Sequence, residues 1–174
     1  MKRLDISPVK FAEGKMLILD QTKLPSEEVY IEIKNKEDVW DAIYHLKVRG
    51  APAIGVAAAY GLFLSAGAKK DDTPERFCRR VQEIARPTAV NLSWALNRMI
   101  ARLESYYHTF KEIREQEPMR WISSAEAVLL EEAEAIRKED EAACFAMGTY
   151  GLTLLQPGMG ILTHCNAGTI ATAK

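Results

Sequence analysis

The pattern of apolar and polar positions over the first part of the chain is strand-like. Val9 and Phe11, then Met16 to Leu19, then Val29, Tyr30, Ile31 and Ile33 form three short runs, separated by Glu13-Gly14 and by Lys23-Leu24-Pro25-Ser26. This predicts a small antiparallel sheet, with Glu13-Gly14 as a hairpin turn because glycine accepts a positive φ. After Lys34 the period lengthens. Asn35 is a helix-capping residue followed by Glu37 and Asp38, and Val39, Trp40, Ile43 and Leu46 recur at helical spacing, which predicts a helix to about Val48. Arg49-Gly50-Ala51-Pro52 breaks it, and Pro52 suits the start of the next.

Ala51 to Ala68 carries no charge over 18 residues, the lower limit for crossing a bilayer. It is mostly Ala and Gly with Pro52, Tyr60 and Ser65, so a close-packed buried helix is the expectation and no membrane is implied. Thr73-Pro74 opens a basic helix to about Ala85, whose Arg79-Arg80 pair reads as a solvated face. Arg86-Pro87-Thr88 interrupts the pattern. Ser93 to about Glu115 is helical again, with Trp94, Leu96, Met99, Ile100 and Leu103 as its apolar stripe, and Pro118 ends that part. A long acidic, Ala-rich helix is predicted from Ser123 to about Leu155, strained near Gly148 and Gly151. Past the Gln156-Pro157-Gly158 turn, Ile161-Leu162, the polar Thr163 to Gly168 and the Ala-rich tail read as strand, loop and helix.

The fold class predicted is α+β: a mainly helical N-terminal domain with a small antiparallel sheet over residues 1–122, a connecting helix over 123–157, and at 158–174 the first strand-loop-helix of a further domain. One such unit cannot cover both faces of a sheet. The chain therefore reads as the front part of a larger protein.

Composition excludes more than it selects. With 48% hydrophobic residues, 27% charged and a net charge of −1, neither disorder nor a nucleic-acid partner is indicated. Cys78, Cys144 and Cys165 have no metal or redox spacing, so a reducing compartment without disulfides or bound metal is expected. Met1 to Phe11 lacks an apolar signal core, which makes the cytoplasm the default.

Three places carry candidate chemistry. Arg49-Gly50-Ala51-Pro52 has the parts of an oxyanion site: a glycine that admits a ligand, backbone N–H groups at a helix start and a guanidinium for bidentate bonds. A helix-helix corner with Arg49 in solvent is an equal alternative. Arg86 is a second cation, kept off a helix flank by Pro87, though its stem can equally cover apolar surface. Cys165 falls in the loop after the predicted strand, the rim where open α/β sheets bind ligands. A lone cysteine there is more often a small buried hydrophobe.

Taken together, Lys47-Val48-Arg49-Gly50-Ala51-Pro52-Ala53-Ile54-Gly55, Arg86-Pro87-Thr88-Ala89-Val90-Asn91-Leu92-Ser93-Trp94-Ala95-Leu96 and Thr163-His164-Cys165-Asn166-Ala167-Gly168 resemble the N-terminal half of the methylthioribose-1-phosphate isomerases, within the superfamily that includes the initiation factor 2B regulatory subunits. The resemblance covers essentially the whole chain. It implies an aldose-ketose isomerase that converts S-methyl-5-thioribose 1-phosphate to the ribulose 1-phosphate in methionine salvage, as a homodimer without metal or organic cofactor. It further implies that Arg49, Gly50, Ala51 and Arg86 bind substrate, that Cys165 is the active-site thiol, and that the last residues begin a Rossmann-like domain. The family's aspartate proton donor lies in that domain, no position here corresponds to it, and the 174 residues alone are expected to be inactive. The segment from Phe77 to Arg86 is shorter than the family's by about one helical turn. Ribose-1,5-bisphosphate isomerase and a non-catalytic initiation factor 2B-like subunit remain as alternatives.

Overall fold

A computed structural model describes residues 6–84, 90–164 and 167–173, with the side chains of residues 84, 90 and 91 not described. Strands β1 (Val9–Ala12), β2 (Lys15–Leu19) and β3 (Tyr30–Ile33) form an antiparallel sheet in that order. Glu13 and Gly14, at φ 53° and 74°, make the two-residue turn whose twist suits a hairpin. The register sets Val9 against Ile18, Phe11 against Met16, Ile31 against Ile18 and Ile33 against Met16, so one face is wholly apolar. That face meets helix α2 (Ala51–Ala66), where Phe11 stacks on Tyr60 at 4.7 Å and meets Phe63 edge-on.

The uncharged stretch is the buried centre of the fold. Ala53, Val56, Ala57, Ala59, Tyr60, Leu62 and Ala66 are each at most 1% exposed. Its small side chains let α1 (Lys36–Tyr44), α3 (Pro74–Ile84), α4 (Val90–Thr109) and α6 (Pro118–Leu152) all pack against it. Among the described residues no helix is long and apolar enough to cross a membrane.

The start of α1 follows the sequence signal. Asn35 accepts a hydrogen bond from the Asp38 N–H at 2.9 Å, and Asp38 accepts one in return from Lys34 N–H. Asn35→Ala is expected to cost about 1 kcal/mol, read as a lower denaturation midpoint with an unchanged slope. α1 stops at Tyr44, four residues before the expected end, where Leu46 takes φ 56° and turns Val48 into the core. Trp40 and Trp94, expected on apolar stripes, are more than half exposed.

Other expectations need correction. The helix predicted from Ser93 to Glu115 is two, broken at Phe110, with α5 running Lys111–Gln116. Pro118 opens the long helix instead of closing the preceding part, because a proline in the first turn loses no helical hydrogen bond. Arg80 is not solvated. Its guanidinium grips Asp72 through two 2.7 Å bonds and donates to the Ala66 and Gly67 carbonyls at the end of α2, holding the Asp72 carboxyl below its usual range.

The predicted strand at Ile161-Leu162 is irregular chain, and the tail at 169–172 is turn and bend instead of helix. A lone strand has no neighbour to satisfy its backbone, and every strand of the described sheet lies before residue 34. Leu162 is fully exposed and Ile161 largely so, as are Phe145, Tyr150 and Leu152 towards the end of α6 and Leu154 just after it.

Candidate functional site

The site is built on the corner between α1 and α2. Gly50 caps α2 with φ 95°, a conformation that suits glycine, and Pro52 lies in the first turn. The corner is not open to solvent on all sides. Residues 168–173 lie against it, so that Ala171 sits where a Gly50 side chain would be, and the Ala171 carbonyl accepts from Ala53 N–H at 3.3 Å. The oxygen expected at this helix start is therefore, at Ala53, a backbone carbonyl, drawn there by the same N–H groups and dipole that favour an anion. Ala51 remains exposed.

Arg49 is half-buried. One terminal nitrogen donates to the Gln21 carbonyl at 2.9 Å, while Nε is buried without a partner among the described residues. Sequence reasoning missed Gln21. It is 1% exposed, its N–H bonds the Lys47 carbonyl, and its side-chain nitrogen lies 2.7 Å from the Ile170 carbonyl and 3.5 Å from that of Arg49. The available signal was faint: a polar Asp20-Gln21-Thr22 run directly after a buried strand.

Carboxylates of α6 are also engaged. Asp140 accepts from Ala173 N–H at 2.6 Å. Glu134 bonds the buried Tyr60 hydroxyl and pairs with Arg137, and Glu139 and Glu132 share Arg98, whose hydrogen bonds and then charge hold the Glu139 carboxyl low. A cavity of about 430 Å³ opens beside the corner, lined among others by Ala51, Pro52, Gly55, Trp94, Glu139 and Asp140.

The structure thus brings Arg49, Gly50 and Ala51 together with the segment that follows the Thr163 to Gly168 motif. Arg86 and Cys165 lie outside the described residues. The other two cysteines are free thiols: burial, then Glu75, pushes Cys78 up to about 11, and burial, then Asp140, raises Cys144. Among the described residues no group of three or more His, Cys, Asp or Glu is placed to hold a metal.

Fold and corner define a mainly helical domain with a small antiparallel sheet, whose central helix begins at a Gly50 corner that residues 168–173 lie against. Residues 47–173 match the initiation factor 2 subunit family, and the chain belongs to it. It is 44% identical over 98% of its length to a 5-deoxyribose 1-phosphate isomerase of Petrotoga mobilis, covering 48% of that protein. It is 47% identical over 94% of its length to a methylthioribose-1-phosphate isomerase of Parabacteroides distasonis, covering 47% of that protein. Among solved structures, 5-methylthioribose 1-phosphate isomerase from Pyrococcus horikoshii superposes with a TM-score of 0.78 at 35% identity, over 97% of this chain and 46% of that one. Subunit delta of translation initiation factor eIF-2B from A. fulgidus gives 0.74 at 33%, over 97% and 47%. The chain spans about half the length of the relatives it matches.

Proposed function

We propose that the protein is an isomerase of 5-substituted ribose 1-phosphates, acting on 5-methylthioribose 1-phosphate in methionine salvage, and that at its native length it works as a cytoplasmic homodimer with a Rossmann-like second domain. The names of its relatives support the substrate class. The observation that carries the reading is the seating of Ala171 against Gly50, which keeps the Arg49 corner beside the chain that follows the Cys165 motif.

In this reading Arg49, Arg86 and the first turn of α2 hold the phosphate, with Gly50 and Ala51 letting it approach the backbone. An aldose 1-phosphate cannot open spontaneously, so an acid protonates the ring oxygen as its bond to C1 breaks. Hydrogen then passes from C2 to C1, as a proton through an enol or as a hydride, and the C2 hydroxyl gives up its proton as the ketone forms. The sum is redox-neutral and needs no co-reactant. Cys165 transfers a proton or stabilises the developing charge.

The cavity beside Ala51 favours an uncharged 5-substituent. Trp94, Pro52 and Gly55 on its wall suit a methyl or methylthio group. In competition assays, 5-methylthioribose and 5-deoxyribose 1-phosphates are expected to exceed ribose 1,5-bisphosphate in kcat/KM by at least about tenfold. Preference for the bisphosphate overturns the proposed substrate. The likeness to the eIF-2B delta subunit supports a second reading, a binding subunit without turnover, which the same assay separates.

A further inference from the structure

We propose that Gln21 is a positioning residue that holds the Arg49 corner and residues 168–173 in one relative placement. The inference deepens the isomerase reading and rests on it for its catalytic meaning.

Gln21 is the described residue that bonds both partners. Its backbone accepts from Arg49, and its side-chain amide spans 149 residues of sequence to reach the Ile170 carbonyl. Both oxygens facing that amide, those of Ile170 and Arg49, are carbonyls, so only the NH2 end can point at them and its orientation is determined. The amide is buried, where an unmade bond is costly, so the arrangement is held instead of exchanged for water. Further bonds secure the same segment beyond Gln21: the Ala53 N–H donates to the Ala171 carbonyl, Asp140 takes the Ala173 N–H, and the Ser7 hydroxyl lies 3.0 Å from the Ala173 carbonyl. The last two lie at the far end of the segment. Gln21 acts next to Gly50 and Ala171, on the side from which the chain leads back to Gly168 and the Cys165 motif. A guanidinium that binds phosphate and a segment that continues a reactive loop must keep a fixed separation, since a displacement of about 1 Å can cost roughly a hundredfold in rate.

The test compares two variants with the parent protein at native length. Gln21→Met keeps the shape and removes both donors. Gln21→Asn keeps a buried amide but shortens the arm by about 1.5 Å, beyond hydrogen-bond reach of Ile170. In both, amide exchange at Ala171 and Ala173 is expected to accelerate at least about tenfold. The kcat on 5-methylthioribose 1-phosphate is expected to fall about 10- to 100-fold with KM within about threefold, because the Arg49 clamp is bonded through the Gln21 backbone and persists. Unchanged exchange overturns the proposal whatever the activity, as does faster exchange with unchanged kcat, or a rise in KM alone. If the parent turns over no phosphosugar, the isomerase reading fails, and exchange still decides whether Gln21 fastens the segment. If the Met variant does not fold, the Asn variant carries the same outcomes.

Discussion

Gly50→Ala is expected to lower stability by roughly 2–5 kcal/mol and to release residues 168–173 from the start of α2. Two independent costs combine. The backbone at φ 95° is strained for any side chain, worth about 1–3 kcal/mol. The new methyl group would also overlap the Ala171 carbonyl oxygen, Cα and Cβ, none of which a rotamer change can move. Overpacking of this kind costs about 1–3 kcal/mol, less where the weaker partner gives way. Here residues 168–173 give way, held by a handful of hydrogen bonds, whereas α2 is the buried centre of the fold. Gly14→Ala supplies the control. Its φ is 74° and nothing lies within 4 Å of the added carbon, so it carries the strain without the overlap. Urea titrations of both, with amide exchange at Ala171, separate the terms. Equal losses in the two variants, with exchange at Ala171 unchanged, would show that the tail is not seated on Gly50.

Features set by neighbouring residues are legible in the chain alone. Local alternation carries a sheet: Val9, Phe11, Met16, Ile18, Ile31 and Ile33 share a face by register, and the turn at Glu13-Gly14 follows from two residues. Asn35 is likewise a local signal, and the Ala- and Gly-rich content of the uncharged stretch favoured a buried helix over a membrane span. What failed depends on distant partners. Arg80 looked solvated because its acceptors, Asp72 and the end of α2, lie outside its own helix. The break at Phe110 leaves no mark in the pattern of apolar positions. Ile161-Leu162 has the composition of a strand but meets no edge to pair with in these residues. At the site, the Arg49-Gly50-Ala51-Pro52 corner was readable because Gly and Pro impose backbone geometry by themselves. Gln21 was not, since a glutamine announces nothing until its partner, Ile170, is placed beside it. The chemistry at Arg86 and Cys165 rests on motif resemblance and on membership of the family.

Cys165→Ser is expected to lower kcat by about 10²–10⁴-fold in the protein at native length, with KM for 5-methylthioribose 1-phosphate changed by less than about threefold. Serine preserves size and hydrogen bonding, so phosphate binding through Arg49 and Arg86 persists. It does not preserve acidity or polarisability, and a hydroxyl is a far poorer proton-transfer group near neutral pH than a thiol. The thiol at Cys78 provides the internal control. It is half-buried among core residues and raised to about 11 by burial and Glu75, so it holds its proton at neutral pH. Cys78→Ala is therefore expected to keep kcat within about twofold while costing some packing. The same pair of variants separates the enzyme from the binding subunit. A regulatory subunit has no use for the sulfur, so its assembly and ligand affinity would survive Cys165→Ser unchanged. Turnover retained in the serine variant removes the thiol from the mechanism and leaves the phosphate-binding corner as the functional core.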